Sequence, residues 1–157
     1  MMSSENTPPS LAITRAEEPE FEWCAQLMAG SEPWITLRRG IEQCRAALHR
    51  PGDELFVARE GGQPLGFVLI RPLGFAGSPY IASVAVAESA RGKGIGAQLL
   101  AFAEKHAAGS RFIFLLVSSF NRRAQALYRR LGYQQVGEIP NYVVDGHSEL
   151  LFGKRLA

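Results

Sequence analysis

Three glycines alternate with basic and apolar residues in the segment Arg91-Gly92-Lys93-Gly94-Ile95-Gly96, a pattern that suits the binding of a phosphate group. The segment follows an apolar run typical of a strand and opens an amphipathic pattern typical of a helix. Backbone N–H groups at the start of a helix lack partners within the helix and lie at the positive end of its dipole. Glycines let an anion approach these groups, and Arg91 and Lys93 add positive charge. We therefore expect a diphosphate site here; a glycine-rich connection without a ligand is the alternative.

Two other common phosphate-binding signatures do not fit this turn. A Walker sequence needs Gly-Lys-Ser/Thr after four intervening residues, and the chain has no such run. A dinucleotide fingerprint needs a third glycine where Ala97 and Gln98 stand. Both of these phosphate-binding folds are therefore disfavoured.

The periodicity of the chain predicts the elements that would position the turn. Strand patterns with period two or continuous apolar runs alternate with helical patterns in the order βααβββαβαββ. The predicted strands cover residues 11–15, 54–59, 65–71, 80–86, 112–117, 133–139 and 148–153. The predicted helices cover residues 20–28, residues 37–48, the segment from 95 to about 106, and the segment capped by Asn121. The order predicts an α/β fold whose mixed, mostly antiparallel sheet carries helices on both faces.

Length and composition indicate one domain over residues 11–157, preceded by a flexible tail over residues 1–10. The chain has 157 residues, of which 46% are apolar and 20% charged, and its formal net charge is +2. No apolar stretch is long enough to cross a bilayer, and the basic residues are dispersed, so we expect no membrane or nucleic-acid partner. Cys24 and Cys44 fall on apolar helical faces, which favours buried free thiols and a cytoplasmic location. His106 and His147 lack metal-ligand spacing, and no metal is predicted.

Three segments resemble motifs of the GNAT acyltransferases and occur in that family's order. The glycine-rich turn resembles the Arg/Gln-x-x-Gly-x-Gly/Ala signature, and Ser83-Val84-Ala85-Val86 resembles the strand before it. Asn121 and the segment Ala126-Leu127-Tyr128-Arg129-Arg130-Leu131-Gly132-Tyr133 resemble the family's Asn…Ala-x-x-Leu-Tyr-x-x-x-Gly-Phe/Tyr motif. The resemblance covers residues 11–155 and is most specific between 80 and 133. Because it is weak over the first two helices, which shape the acceptor site in this family, it leaves the acceptor open.

The resemblance implies acetyl-CoA as cofactor and assigns residues to it. The main chain of Val84, Ala85 and Val86 would pair with the pantetheine arm like an added strand, and Asn121 would cap its helix and contact the same arm. Tyr128 would be the general acid that protonates the CoA sulfur, with packing in the core as its alternative role. The diphosphate would lie on residues of the turn: Arg91, Gly92, Lys93, Gly94, Ile95, Gly96 and Ala97.

The general base and the acceptor pocket are less well defined by the sequence. The segment from Asn121 to Tyr133 resembles the bacterial enzymes that acetylate the N-terminal residue of a ribosomal protein. In those enzymes a glutamate stands where this chain has Leu116, so their base does not carry over. Glu32 and Glu149 are the base candidates, chosen among carboxylates that also include Glu54 and Glu88, and a water chain to backbone carbonyls is an alternative. Trp34, Tyr80 and Tyr142 are expected to line the acceptor pocket, with packing in the core or in a lid as the alternative.

These observations predict an N-acetyltransferase that moves an acetyl group from acetyl-CoA to a primary amine by direct attack. The acceptor would be a protein N-terminus, a lysine or a small amine, and assembly as a homodimer is compatible with the sequence. A catalytically degenerate module that holds acyl-CoA is the second hypothesis, which the leucine at position 116 favours. A binder of adenine nucleotides is the third.

Overall fold

The computed structural model of the protein describes residues 11–157, so the tail predicted for residues 1–10 lies outside the described residues. The elements follow the predicted order. The strands are β1 (Ala12–Arg15), β2 (Glu54–Glu60), β3 (Gln63–Phe75), β4 (Ser78–Val86), β5 (Phe112–Ser118), β6 (Gln134–Pro140) and β7 (Ser148–Arg155). The helices are α1 (Glu18–Ala29), α2 (Ile41–Leu48), α3 (Ile95–His106) and α4 (Arg122–Arg130).

One seven-stranded sheet runs through the described residues in the order β1-β2-β3-β4-β5-β7-β6. Every neighbouring pair is antiparallel except β4 and β5, which are parallel because α3 crosses over between them. The sheet is therefore mixed and mostly antiparallel, which confirms the predicted fold class.

Alternation along the strands divides the apolar side chains between two cores. Phe56 and Val68 belong to the core beneath α3 and α4, with Leu99 and Phe152. Residues one position away on the same strands, such as Val57 and Phe67, belong to the core beneath α1 and α2. The predicted helices on both faces are confirmed, and each face offers a separate region for a ligand.

Strands β4 and β5 separate soon after they meet. Their parallel pairing comprises only Tyr80 with Phe114 and Ile81 with Leu115. Beyond Ile81, β4 continues to Val86 paired only with β3, while β5 pairs only with β7. Among the described residues, the second half of β4 therefore has an edge without a strand partner in the middle of the sheet.

Two helix starts border this gap. Helix α3 begins after Gly94, whose φ of 76° is strained for any residue with a side chain. Helix α4 begins after Asn121, whose side chain accepts a hydrogen bond from the N–H of Ala124 at 3.3 Å, as predicted for a cap. A short 3₁₀ turn at Glu88–Ala90, which the sequence patterns did not reveal, leads from β4 into the glycines.

The second helix is shorter than predicted. Leu37 was expected within it, but α2 begins at Ile41. Arg38 adopts a positive φ of 58°, and the extended Gly40 provides the N-cap, so residues 37–40 form a turn instead. No helix among residues 11–157 is long and apolar enough to cross a membrane.

Candidate active site

A groove of about 870 Å³ lies beside the unpaired part of β4, between the starts of α3 and α4. It brings together most of the residues predicted to hold the cofactor: Val84, Ala85, Val86, Arg91, Gly92, Gly94, Ile95, Gly96, Ala97, Asn121 and Tyr128. Lys93 is exposed and does not line the groove, although it lies between two glycines that do. We call this cavity the donor groove.

The turn in the donor groove fits a diphosphate. Within residues 11–157, no acceptor bonds the backbone N–H groups of residues 92–97, and the first amide with a helical partner is that of Gln98, bonded to the carbonyl of Gly94. A Cβ at Gly92 or Gly94 would have no atom within 4 Å, so the surface above these glycines is open. Free amides, an open approach and Arg91 together make a site for a doubly charged anion.

A second cavity of about 800 Å³ lies at the same gap and extends over the face that carries α1 and α2. Trp34, Tyr80, Tyr142 and Glu149, which were expected near the acceptor or as its base, all line it. Side chains of Leu116, Ser118 and Glu149 point to this face because their neighbours on β5 and β7 belong to the opposite core. We call this cavity the acceptor cavity.

The two cavities meet at a junction of four residues: Trp34, Val84, Asn121 and Tyr128 line both. The junction is the place where β4 and β5 have separated, so a ligand on either side can reach the same backbone segment of β4. An arrangement of this kind can bring two reactants together without removing either from its own cavity.

Tyr128 occupies the junction with its ring packed in the core. It is 7% exposed, and its ring lies 6.3 Å from that of Phe152 and 6.0 Å from that of Tyr133. Burial raises the pKa of Tyr128 to about 12, because the phenolate would be poorly solvated there. The hydroxyl therefore stays protonated near neutral pH and can act as a proton donor.

Glu149 is a buried carboxylate at the wall of the acceptor cavity. It is 6% exposed, and its Oε1 accepts a hydrogen bond from Oγ of Ser118 at 2.7 Å. Burial raises the pKa of Glu149 above its ordinary value, whereas the Ser118 bond and the charges of Arg39 and His147 act to lower it. A carboxylate with a raised pKa, facing a cavity, has the properties of a general base.

The other carboxylates that we considered lie elsewhere. Glu32 borders the donor groove and not the acceptor cavity, and it accepts hydrogen bonds from the N–H and the hydroxyl of Thr36. Glu54 lies 3.2 Å from Arg15 and 3.3 Å from His106, away from both cavities, and Glu88 lines the donor groove. The geometry favours Glu149 over these three.

Ser118 and Gln125 were missed by the sequence reasoning. Gln125 is buried, and its Nε2 donates to the carbonyls of Ser118 at 3.1 Å and Ser119 at 2.9 Å, which fixes the end of β5 against α4. In the sequence, a pair of serines follows the apolar run of β5, just before the Asn121 cap. This pair could have indicated a polar site at the end of the strand. No group of three metal-ligating side chains occurs within residues 11–157.

Comparison with known proteins gives the family of the chain. The model of the Acetyltransferase (GNAT) family matches residues 11–133. The N-alpha-acetyltransferase RimI of Mycobacterium tuberculosis is 33% identical over 141 residues, which cover 87% of this chain and 85% of that protein.

Two solved structures share the fold. NAA60 of Arabidopsis thaliana, in complex with a bisubstrate analogue, has a TM-score of 0.77 and 19% identity, with 94% of this chain and 100% of that chain covered. An aminoglycoside 6'-N-acetyltransferase in complex with coenzyme A has a TM-score of 0.75 and 18% identity, with 93% and 97% covered.

The fold is that of a GNAT acetyltransferase, and the chain belongs to this family. It is therefore an acyltransferase. GNAT acetyltransferases use acetyl-CoA, which makes acetyl-CoA the acyl donor of this chain.

Proposed function

We propose that the protein transfers the acetyl group of acetyl-CoA to a primary amine by direct attack while both reactants are bound. The observation that carries this proposal is the junction at which the donor groove and the acceptor cavity share Val84 and Tyr128. The 33% identity to an N-alpha-acetyltransferase makes a protein or peptide N-terminus the first acceptor to test.

The residues of the donor groove would hold the cofactor along its length. Acetyl-CoA supplies an activated acetyl thioester. The free amides of residues 92–97 and the guanidinium of Arg91 would bind the diphosphate, and the unpaired main chain of β4 from Val84 to Val86 would bond the amide groups of the pantetheine arm. A backbone N–H near Val84 would also stabilise negative charge on the thioester oxygen.

Two side chains would move protons on either side of the junction. The carboxylate of Glu149 would accept the proton that the acceptor amine loses when it attacks. The hydroxyl of Tyr128, which burial keeps protonated by raising its pKa to about 12, would donate its proton to the departing sulfur. Ser118 would orient Glu149 through the 2.7 Å hydrogen bond.

A second candidate is a module that binds acyl-CoA without transferring the acyl group. Leu116 favours it, because an apolar side chain stands where the similar bacterial enzymes carry a glutamate. Glu149 would supply the carboxylate that position 116 lacks, since it faces the same cavity from the neighbouring strand β7.

Release of free CoA thiol from acetyl-CoA, measured with peptide N-termini, lysine peptides and polyamines, tests the proposal. We expect turnover with at least one amine class. The mass spectrum of the product should show the acetylated amine. Tight binding of CoA without turnover on any amine would support the binding module instead. Equal affinity for ATP and CoA in calorimetry would indicate an adenine-nucleotide site. A cytoplasmic location and a homodimer stay predictions.

A further inference from the structure

The acceptor cavity carries an excess of positive side chains around one buried carboxylate. Its charged and titratable side chains, apart from tyrosines and cysteine, are Arg39, His49, Arg50, Arg71 and Glu149. The three arginines lie on separate segments: Arg39 in the turn before α2, Arg50 after that helix, and Arg71 on β3. The chain thus places cations around one cavity from three places in the sequence.

Two of these groups are already engaged by the protein. The guanidinium of Arg71 makes two bonds to the carboxylate of Asp53, at 3.0 and 3.1 Å, and the Asp53 side chain is 1% exposed. His49 lies 3.7 Å from Glu18, and its Nδ1 contacts the carbonyl of Arg45 at 2.7 Å. The charge of Arg71 is therefore already paired, and both ring nitrogens of His49 face groups of the protein.

Arg39 and Arg50 have no such partner among the described residues. Within residues 11–157, no carboxylate lies within 4.0 Å of either guanidinium, and neither makes a side-chain hydrogen bond to this part of the chain. Both are exposed, and both border the cavity whose wall holds Glu149. Arg39 is close enough to Glu149 for its charge to act on that carboxylate.

Resting on the proposed acetyl transfer, we infer that the acceptor is the amino terminus of an acidic peptide segment. Its α-amine would lie at Glu149, and a carboxylate side chain in its first three residues would bind Arg39 and Arg50. Glu149 is the only carboxylate that lines this cavity within the described residues, so it alone offers an anionic partner to an amine. A second positive charge on the acceptor would instead meet two unpaired guanidiniums, which is repulsive.

The size and the opening of the cavity suit a chain of several residues. About 800 Å³ lies near the upper end of the roughly 300–1,000 Å³ that small-molecule sites occupy. Its rim includes the two exposed arginines and Tyr142, which is 60% exposed on the turn between β6 and β7. A peptide can therefore enter with its amine first and leave its following residues at the rim.

The test is a panel of peptides of equal length that share an N-terminal alanine and differ at positions two and three. These positions carry two acidic residues, their two amides, or two lysines, and the assay measures CoA release. We expect kcat/KM to fall from the acidic to the lysine peptide by about tenfold or more. The preference should shrink as salt is added, because exposed charges are screened.

Charge reversal at the two arginines gives the matched variants. In R39E and R50E we expect KM for the acidic peptide to rise, because each variant would replace a positive contact to the acceptor's carboxylate with a repulsive one. The double variant should prefer the lysine peptide. R38E is the control, since Arg38 is exposed and adjacent in sequence but does not line the cavity, and it should keep the original preference.

The outcomes separate this inference from the proposed function. Equal kcat/KM across the three peptides would overturn the acidic acceptor while leaving acetyl transfer intact. Faster turnover of free glutamate or aspartate than of any peptide would overturn the peptide acceptor. Absence of turnover on every amine would overturn the proposed function itself. CoA affinity, measured by calorimetry, should be unchanged in all these variants and so shows that they are folded.

Discussion

Ser118 and Glu149 are direct register partners on β5 and β7, and the hydroxyl of Ser118 donates to Oε1 of Glu149 at 2.7 Å. Both side chains are buried on the face of the sheet that carries the acceptor cavity. Burial favours the neutral form of the carboxyl, and the hydrogen bond favours its charged form. The balance between these two effects sets the pH at which Glu149 can accept a proton.

Removal of this hydrogen bond should move the pH profile of the enzyme. In S118A the pKa of Glu149 rises further, because the charged form loses a donor. The acidic limb of kcat/KM should therefore shift upward, by about one pH unit. S110A is the control, because Ser110 lies before β5 and lines neither cavity. An acidic limb that stays in place in S118A would contradict the assignment of Glu149.

Neutralising Glu149 should remove most of the catalysis. We expect E149Q to lower kcat by about a hundredfold or more while the affinity for CoA is kept, since the side chain is not part of the donor groove. E32Q is the matched carboxylate change, and it should keep kcat because Glu32 bonds Thr36 beside the donor groove. If E32Q lost activity and E149Q did not, the base would be Glu32.

The tyrosines at positions 128 and 133 should respond differently to the loss of their hydroxyls. Y128F should lower kcat by about a hundredfold, because the proton donor for the leaving sulfur is lost. The hydroxyl of Tyr133 is buried and has no hydrogen-bond partner among the described residues. Y133F should keep kcat and raise the free energy of unfolding by about 1 kcal/mol, measured by urea denaturation. Full activity in Y128F would indicate that Tyr128 acts only through the packing of its ring, which phenylalanine keeps.

A carboxylate in the glycine-rich turn should abolish binding of the cofactor. G94E places a negative side chain where the diphosphate would lie, and calorimetry should show at least about a hundredfold loss of CoA affinity. Gly109 is the control position, because it also has a positive φ, of 99°, and open space around its Cβ, yet it lines neither cavity. G109E therefore suffers the same backbone strain and should bind CoA normally. Unchanged affinity in G94E would place the diphosphate elsewhere.

The order of the elements could be predicted because each has a local signal. Alternating apolar residues mark the strands, and Gly94 and Asn121 mark two helix starts that the structure confirms. The predicted start of α2 was wrong because the helical spacing of apolar residues continues back to Leu37, whereas the helix begins at Ile41. The backbone conformation of Arg38 interrupts that pattern, and an arginine carries no local signal for a positive φ.

The cofactor side of the site was more accessible to prediction than the acceptor side. Binding by backbone amides is tied to one short segment in which glycines alternate with other residues, and a sequence displays such a segment directly. The acceptor cavity instead collects side chains that are far apart in the chain, such as Arg39, Ser118 and Glu149. Their proximity depends on the register between β5 and β7 and on how the turn before α2 packs, and neither is encoded by a short motif.

The separation of β4 from β5 also bears on self-association. An unpaired strand edge normally invites strands of other molecules, and proteins protect such edges against aggregation. Here the open edge beyond Ile81 lies in the interior of the sheet, with β3 on one side and the β5–β7 pair across the gap. A second sheet that paired with this edge would extend in the plane of the sheet into β5 and β7, whereas a single extended chain would not. The protein can therefore leave this edge open to a ligand without the hazard of fibre-like growth through it.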